Sequence, residues 1–173
     1  YGDCRWDYAD NRLKVWCHKK DYVIKEKIRD MFEFLEEKRK KKNANQVRTA
    51  GIIHQFHYDF GKAGEQESYT LTQEGNTVEM IVQKIGSDVP EKRGAVDRSA
   101  FNILYRVIME QKIYLWNGFH KNNSMAVNGY TFSLNVKFEN WTLSASGCAM
   151  RPAGYDAAHR VLCDCLREIA LSL

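Results

Sequence analysis

The chain has 173 residues, of which 44% are apolar and 28% charged. That balance argues against disorder, and the length suffices to bury a core without metals or disulfides. The net charge of +4 does not by itself call for nucleic acid or anionic lipid, and no run of ~18 apolar residues is present to span a bilayer.

The positive charge is local. Lys38, Arg39, Lys40, Lys41 and Lys42 form one block, and the remainder is close to neutral. Five cysteines are an odd number, so a complete disulfide framework would leave one thiol over. Mostly reduced thiols are expected, with Cys4–Cys17 as the one pairing to entertain. The chain opens on Tyr1 rather than Met, which leaves the compartment open: cytoplasm, or cell envelope if a leader precedes it.

The first twenty residues read as irregular, with a short strand at Arg12 to Trp16. Asp21 is placed to cap a helix running to about Lys42, with Ile24, Ile28, Met31 and Leu35 at helical spacing. Glu33, Glu36 and Glu37 lie on its other side, and the basic block complements the C-terminal end of the helix dipole. Asn43-Ala44-Asn45 reads as its end.

From Ala50 the period changes to two. Ala50, Ile52, Phe56, Tyr58 and Phe60 share one strand face, with His54 in their row; Gly51, Gln55, His57 and Asp59 take the other. After a loop from Gly61 to Glu67, Ser68–Gln73 and Thr77–Val82 read as a tight hairpin about Gly75-Asn76. A two-residue turn there opposes Leu71 with Met80 and Tyr69 with Val82, apolar on apolar. Gly86 to Gly94 reads as a loop. Asp97 then caps a second helix carrying Phe101, Leu104, Tyr105 and Ile108 on one stripe and ending near Gln111.

Ile113 to Trp116 reads as a short strand, and Asn117 to Gly129 as a polar loop interrupted by Phe119, Met125 and Val127. Tyr130, Phe132, Leu134, Val136 and Phe138 alternate with polar residues, and Trp141, Leu143 and Ala145 continue the pattern beyond Glu139-Asn140. A turn there opposes Phe138 with Trp141, Val136 with Leu143 and Leu134 with Ala145. A last helix starts near Asp156, with Ala158, Leu162, Cys165, Leu166, Ile169, Ala170 and Leu173 in a broad stripe.

These elements predict one α+β domain over residues 1–173: an irregular N-terminal segment (1–20), a helix (21–42) and a sheet-and-helix core (47–173). One-sided strands and one-sided helices solve each other's burial problem by packing together. The expected architecture is a two-layer sandwich, an antiparallel sheet of about five strands with helices on one face.

Part of this pattern has a precedent. Ile113-Tyr114-Leu115-Trp116-Asn117-Gly118-Phe119, Thr131 to Phe138, Ser144-Ala145-Ser146-Gly147, Pro152, Tyr155 and the helix to Leu171 follow one another in the last third of the chain. This stretch resembles a family of uncharacterised bacterial domains whose C-terminal half carries an IYxWxGF segment, an SFSLxIxF hairpin strand, SASG, a proline, a tyrosine and a final helix. Glu139-Asn140 stands where that family's turn has glycine, and Asn also tolerates positive φ. The resemblance implies a fold and no activity.

Few residues point to chemistry. His54 and His57 form H-x-x-H, but on a strand that spacing sends the two rings to opposite faces, so His54 reads as a core histidine and His57 as solvent-facing. His159 and Cys163 stand one helical turn apart, with Cys148 upstream. Three such groups would suit zinc or an activated thiol, yet no fourth ligand or orienting carboxylate has a recognisable spacing. The loop from Ser144 to Tyr155 holds Arg151 beside a helix N-terminus, where it would meet an anionic ligand, and Trp116, Phe119 and His120 would line the same region.

The expected function is therefore a non-catalytic binding or interaction domain whose ligand is an unknown small molecule or protein. Its candidate binding residues are Trp116, Phe119, His120, Arg151 and Tyr155. No catalytic residue, metal ligand or cofactor is assigned. The alternatives are a thiol- or metal-dependent hydrolase using His159 and Cys163, and nucleic-acid binding through Lys38–Lys42, the latter disfavoured because no aromatic residues interleave the block.

Overall fold

Alternating apolar residues form strands because period-two burial satisfies the backbone in ladders and one face in a core. In the computed structural model, which describes residues 4–9, 12–17, 22–62, 65–84, 89–123 and 129–173, with side chains from Lys27 onward (Glu65 apart), that principle builds most of the molecule. The Asp21 cap, Met125, Val127 and the side chain of Ile24 lie outside the described residues.

The chain contacts divide it into two compact units, Tyr1–Lys42 and Asn43–Leu173. In the first, β1 (Cys4–Ala9) and β2 (Arg12–Cys17) pair antiparallel, and α1 (Tyr22–Arg48) begins. The N-terminal segment was expected to be irregular apart from Arg12–Trp16. Its partner strand does alternate, Cys4, Trp6 and Tyr8 against Arg5, Asp7 and Ala9, but over six residues with two charges the pattern is too short to stand out as an element. The register sets Cys4 directly opposite Cys17.

The second unit starts with the last turn of α1. The helix passes the Asn43-Ala44-Asn45 stop and ends at Arg48. Tertiary burial overrides local propensity here, because Asn43, Val47 and Ala50 are all enclosed.

The sheet of this unit has seven strands in the order β6-β5-β4-β3-β8-β9-β7. They are β3 (Ile53–Lys62), β4 (Glu65–Glu74), β5 (Thr77–Lys84), β6 (Lys92–Val96), β7 (Phe119–Asn122), β8 (Thr131–Phe138) and β9 (Thr142–Cys148). All neighbours are antiparallel except β7, which runs parallel to β9. The α+β class stands; the expected clean two-layer sandwich on about five antiparallel strands does not, because the sheet is mixed and has seven strands. The two unexpected strands are edges. Five-residue β6 carries Lys92 and Arg93, charges that keep an edge soluble but erase alternation. Four-residue β7 is too short to show a period.

Both hairpin registers come out as the patterning predicts. Leu71 pairs with Met80 and Tyr69 with Val82, and across the second turn Val136 pairs with Leu143 and Leu134 with Ala145. The Phe138 N–H closes that turn on the Trp141 carbonyl at 2.8 Å. In β3 the phase slips. Two steps from Ile53 to Gln55 oppose one step on β8, a bulge at His54. Ile53 rather than Ile52 is therefore buried, and Ile52 stands 47% exposed.

The helices α2 (Ser99–Glu110) and α3 (Tyr155–Ala170) bury Phe101, Leu104, Ile108, Leu162 and Leu166 in one cluster with Phe56, Tyr58, Leu71, Met80, Leu134 and Val136 of the sheet. Arg98 takes the N-cap position, and the Asp97 carboxylate, one residue before it, accepts the Ser99 N–H at 2.7 Å. Ile113–Trp116 is a 3₁₀ turn and not a strand: Ile113 and Trp116 are both buried, and three-residue spacing puts them on one side of such a turn. The reverse face of the sheet carries half-buried Gln55, His57, Asp59, Thr70, Ser133, Asn135, Ser144 and Ser146.

Candidate functional site

Three tyrosines and a histidine converge where α3 crosses β3 and the start of β8. Tyr58 comes from the middle of β3, Tyr130 precedes β8, and Tyr155 and His159 lie one turn apart on α3. The Tyr58 hydroxyl lies 2.9 Å from that of Tyr155 and 2.8 Å from Nδ1 of His159. The Tyr130 hydroxyl lies 3.1 Å from Nε2 of the same ring. Both nitrogens of His159 are thus engaged, one as donor and one as acceptor in the neutral ring.

The surroundings hold this network uncharged. Tyr58 and Tyr155 are buried, and burial pushes both phenols far above their ordinary range. Burial also lowers the basicity of His159, helped by the charges of Arg151 and Arg167. The Sγ of Cys163 approaches Nδ1 of His159 to 3.3 Å, yet burial pushes that thiol up to about 12. At neutral pH the pair is imidazole and thiol, not imidazolium and thiolate.

Arg151 rims the cluster. It is exposed, its guanidinium lies 4.7 Å from the centre of the Tyr130 ring and 5.4 Å from that of Tyr155, and it pairs with Asp156. A shallow groove of about 450 Å³ continues along α3, lined by Asp156, His159, Arg160, Cys163, Asp164 and Arg167. At its far side Arg167 approaches Glu67 to 3.5 Å, and Glu67 accepts the Tyr69 hydroxyl at 2.9 Å.

The five residues singled out from sequence separate into a core pair and a surface set. Trp116 and Tyr155 are each 2% exposed and stack at 5.2 Å. Phe119 is half-buried and joins them through Phe132, which it stacks on at 6.2 Å. His120 points the other way and meets Ser146 Oγ at 2.9 Å. It lines a second depression of about 410 Å³ with Lys121, Ser146 and Cys148. Arg151 alone is both exposed and joined to the tyrosine cluster. Cys148 is accordingly apart from His159 and Cys163, and among the described residues no three His, Cys, Asp or Glu side chains converge on a metal position.

The reverse face of the sheet holds a smaller polar set. His57, expected to face solvent, is half-buried and bonds Thr70 and Asp59, each at 2.8 Å. Burial raises the Asp59 carboxyl, but bonds from His57 and Ser68 outweigh it and leave it below its usual range. His54 sits at the bulge and meets Gln73 at 2.9 Å.

Sequence reasoning passed over Tyr58 and Tyr130, which read as apolar strand positions. The signal was present: a tyrosine where phenylalanine would fill the core brings a hydroxyl that needs a partner. Comparison of the chain with protein-family models, with curated proteins and with solved structures gave no match in any of the three.

Proposed function

We propose that this chain is a non-catalytic binding domain that takes a carboxylate-bearing small molecule or protein segment at Arg151, on the rim of the tyrosine–histidine cluster. One observation carries the reading: both ring nitrogens of His159 are held by tyrosine hydroxyls. A general base needs a free nitrogen facing a substrate, and a nucleophile needs ionisation. The network offers neither, but it makes a rigid floor. On that floor Arg151 is pre-oriented by two rings and one carboxylate, which lowers the entropy lost on binding. The likeness to the bacterial domain family brings no activity with it, so the reading rests on this geometry.

The test is a ligand-observed NMR screen of mono- and dicarboxylates and acidic peptides. At least one class should bind, and its affinity should fall about tenfold in Arg151→Ala, the loss of one charge-assisted bond. Cys163→Ser should leave binding intact. No binding by any class, or binding indifferent to Arg151, rejects the assignment.

A thiol-dependent hydrolase has one observation in its favour, the 3.3 Å approach of Cys163 to His159. Iodoacetamide separates the two readings. A nucleophilic cysteine alkylates readily at pH 7, whereas a thiol at about 12 should react roughly thirty- to sixtyfold more slowly than an ordinary one, the scarcer thiolate being partly offset by its higher nucleophilicity.

A further inference from the structure

Helix α1 carries large apolar side chains that stand exposed. Met31 is 51% exposed, Phe32 40%, Phe34 57% and Leu35 51%. Four such residues within five positions form a patch rather than scattered surface apolars. At about 100° per residue, Ile28, Met31, Leu35, Lys38 and Lys42 fall within roughly 80° of arc, with Phe32 and Phe34 on its two margins. The carboxylates Asp30, Glu33, Glu36 and Glu37 all lie about 120° or more from the centre of that arc. The stripe is therefore apolar at one end and cationic at the other, over about 21 Å of helix.

Among the described residues the two lysines of this stripe, Lys38 and Lys42, make no ion pair. Arg39 pairs with Glu36 and Lys40 with Glu37, both toward the acidic side. Among the described residues, Lys38, Lys41 and Lys42 have no carboxylate within 4.0 Å. Lys38 instead rests its ammonium 4.5 Å from the Phe34 ring centre, at the apolar boundary. A second copy of the helix does not answer this arrangement. Parallel pairing would set the lysines against one another. Antiparallel pairing about Met31–Leu35 would set Lys38 against Ile28, on a stripe that offers no acid. Nucleic acid would answer the lysines and leave Met31 and the phenylalanines in water.

We infer that α1 lies on the surface of a bilayer containing anionic lipid, with Met31, Phe32, Phe34 and Leu35 at the acyl boundary and Lys38 and Lys42 among the headgroups. Such a surface supplies apolar depth and dense negative charge along one line, and the far-side carboxylates stay in water. No helix among the described residues is long and apolar enough to cross a membrane, which fits lying on it. This site is separate from Arg151, and the two readings stand or fall apart.

Flotation of the full chain with vesicles of phosphatidylcholine alone, and with 30% phosphatidylserine, tests it. Binding is expected to the mixed vesicles and to fall at raised salt. Lys38→Gln with Lys42→Gln should weaken it about twenty-five-fold, at about fivefold per lysine near an anionic surface. Leu35→Ser with Phe34→Ser should weaken it at least tenfold at unchanged charge. All four side chains are already largely in water, so the variants keep the fold, and helicity by circular dichroism verifies that. Absence of binding, equal binding to neutral vesicles, or indifference to either pair overturns the proposal. So does concentration-dependent dimerisation abolished by the apolar pair, which would make this face a self-association surface. Retention on polyuridine or duplex DNA that survives the apolar pair would assign the lysines to nucleic acid instead.

Discussion

Removing one oxygen atom tests the account of the tyrosine cluster. Tyr58→Phe keeps the ring, which is fully buried, and deletes the hydroxyl that reaches both Tyr155 and His159. Each of the two hydrogen bonds is worth about 1 kcal/mol net. The Tyr155 hydroxyl keeps Tyr130 as a hydrogen-bonding neighbour, and Nδ1 of His159 keeps Cys163 within reach. The expected loss is about 2 kcal/mol, or roughly 4–8 °C in Tm for a chain of this size. Urea unfolding of the wild type, Tyr58→Phe, Tyr155→Phe and the double variant closes a cycle. Because both single variants delete the same Tyr58–Tyr155 bond, the double variant should be about 1 kcal/mol more stable than the two single losses added together. A Tyr58→Phe loss below about 0.5 kcal/mol, or strict additivity, would mean the hydroxyls satisfy themselves elsewhere and the network does not exist as described.

Three further outcomes are expected. The folded basicity of His159 is below that of a free histidine, so the unfolded chain binds the proton more readily; stability should hold above about pH 6.5 and fall as the pH drops below it. His159→Gln should flatten that fall, and an unchanged profile would show that burial, with the charges of Arg151 and Arg167 against those of Asp156 and Glu67, does not govern the ring as argued. The Asp59 contribution is lost only at lower pH, below the ordinary 3.8, and does not overlap this window. Gly147→Ala would bring a Cβ to 2.2 Å from the Met150 carbonyl oxygen and 2.6 Å from Phe132, so it should lower the urea midpoint by about 2–3 kcal/mol equivalent, a typical cost of overpacking; a neutral substitution would contradict the packing. Finally, directly opposed residues of an antiparallel pair lie about 4.5–5.5 Å apart at Cα, inside the disulfide range, and Cys4 opposes Cys17. A non-reducing digest should yield that cross-linked peptide with Cys148, Cys163 and Cys165 as thiols; five thiols in the denatured, unreduced chain would refute the pairing.

The parts of the fold that could be read in advance are those where one rule acts alone. Tyr69 to Val82 and Leu134 to Ala145 obey period-two burial and a two-residue turn at once, so element and register followed together. Failures came where a second influence intervened. Burial of Val47 and Ala50 carries α1 past its stop, the bulge at His54 inverts the start of β3, and edge charges hide β6. Ile113 and Trp116 fit a 3₁₀ turn as well as a strand, and only the core chooses. At the candidate site the pair on α3 was visible as i, i+4 spacing. Tyr58 and Tyr130 arrive from positions about 100 and 30 residues away, and only the assembled sheet brings their hydroxyls to His159.

The sheet order also dictates when the molecule can become whole. Strands β3 to β6 close on themselves through local turns, and β8 with β9 does likewise. The seam between them joins Ile53 to Phe138 and Gly61 to Thr131. On the ribosome the meander ending at Val96 emerges first, and about forty more residues must follow before β8 arrives, a wait of about 2–8 s at ordinary elongation rates. Throughout it the inner strand β3 is an open edge with bare amide and carbonyl groups, the kind of template on which nascent chains recruit one another.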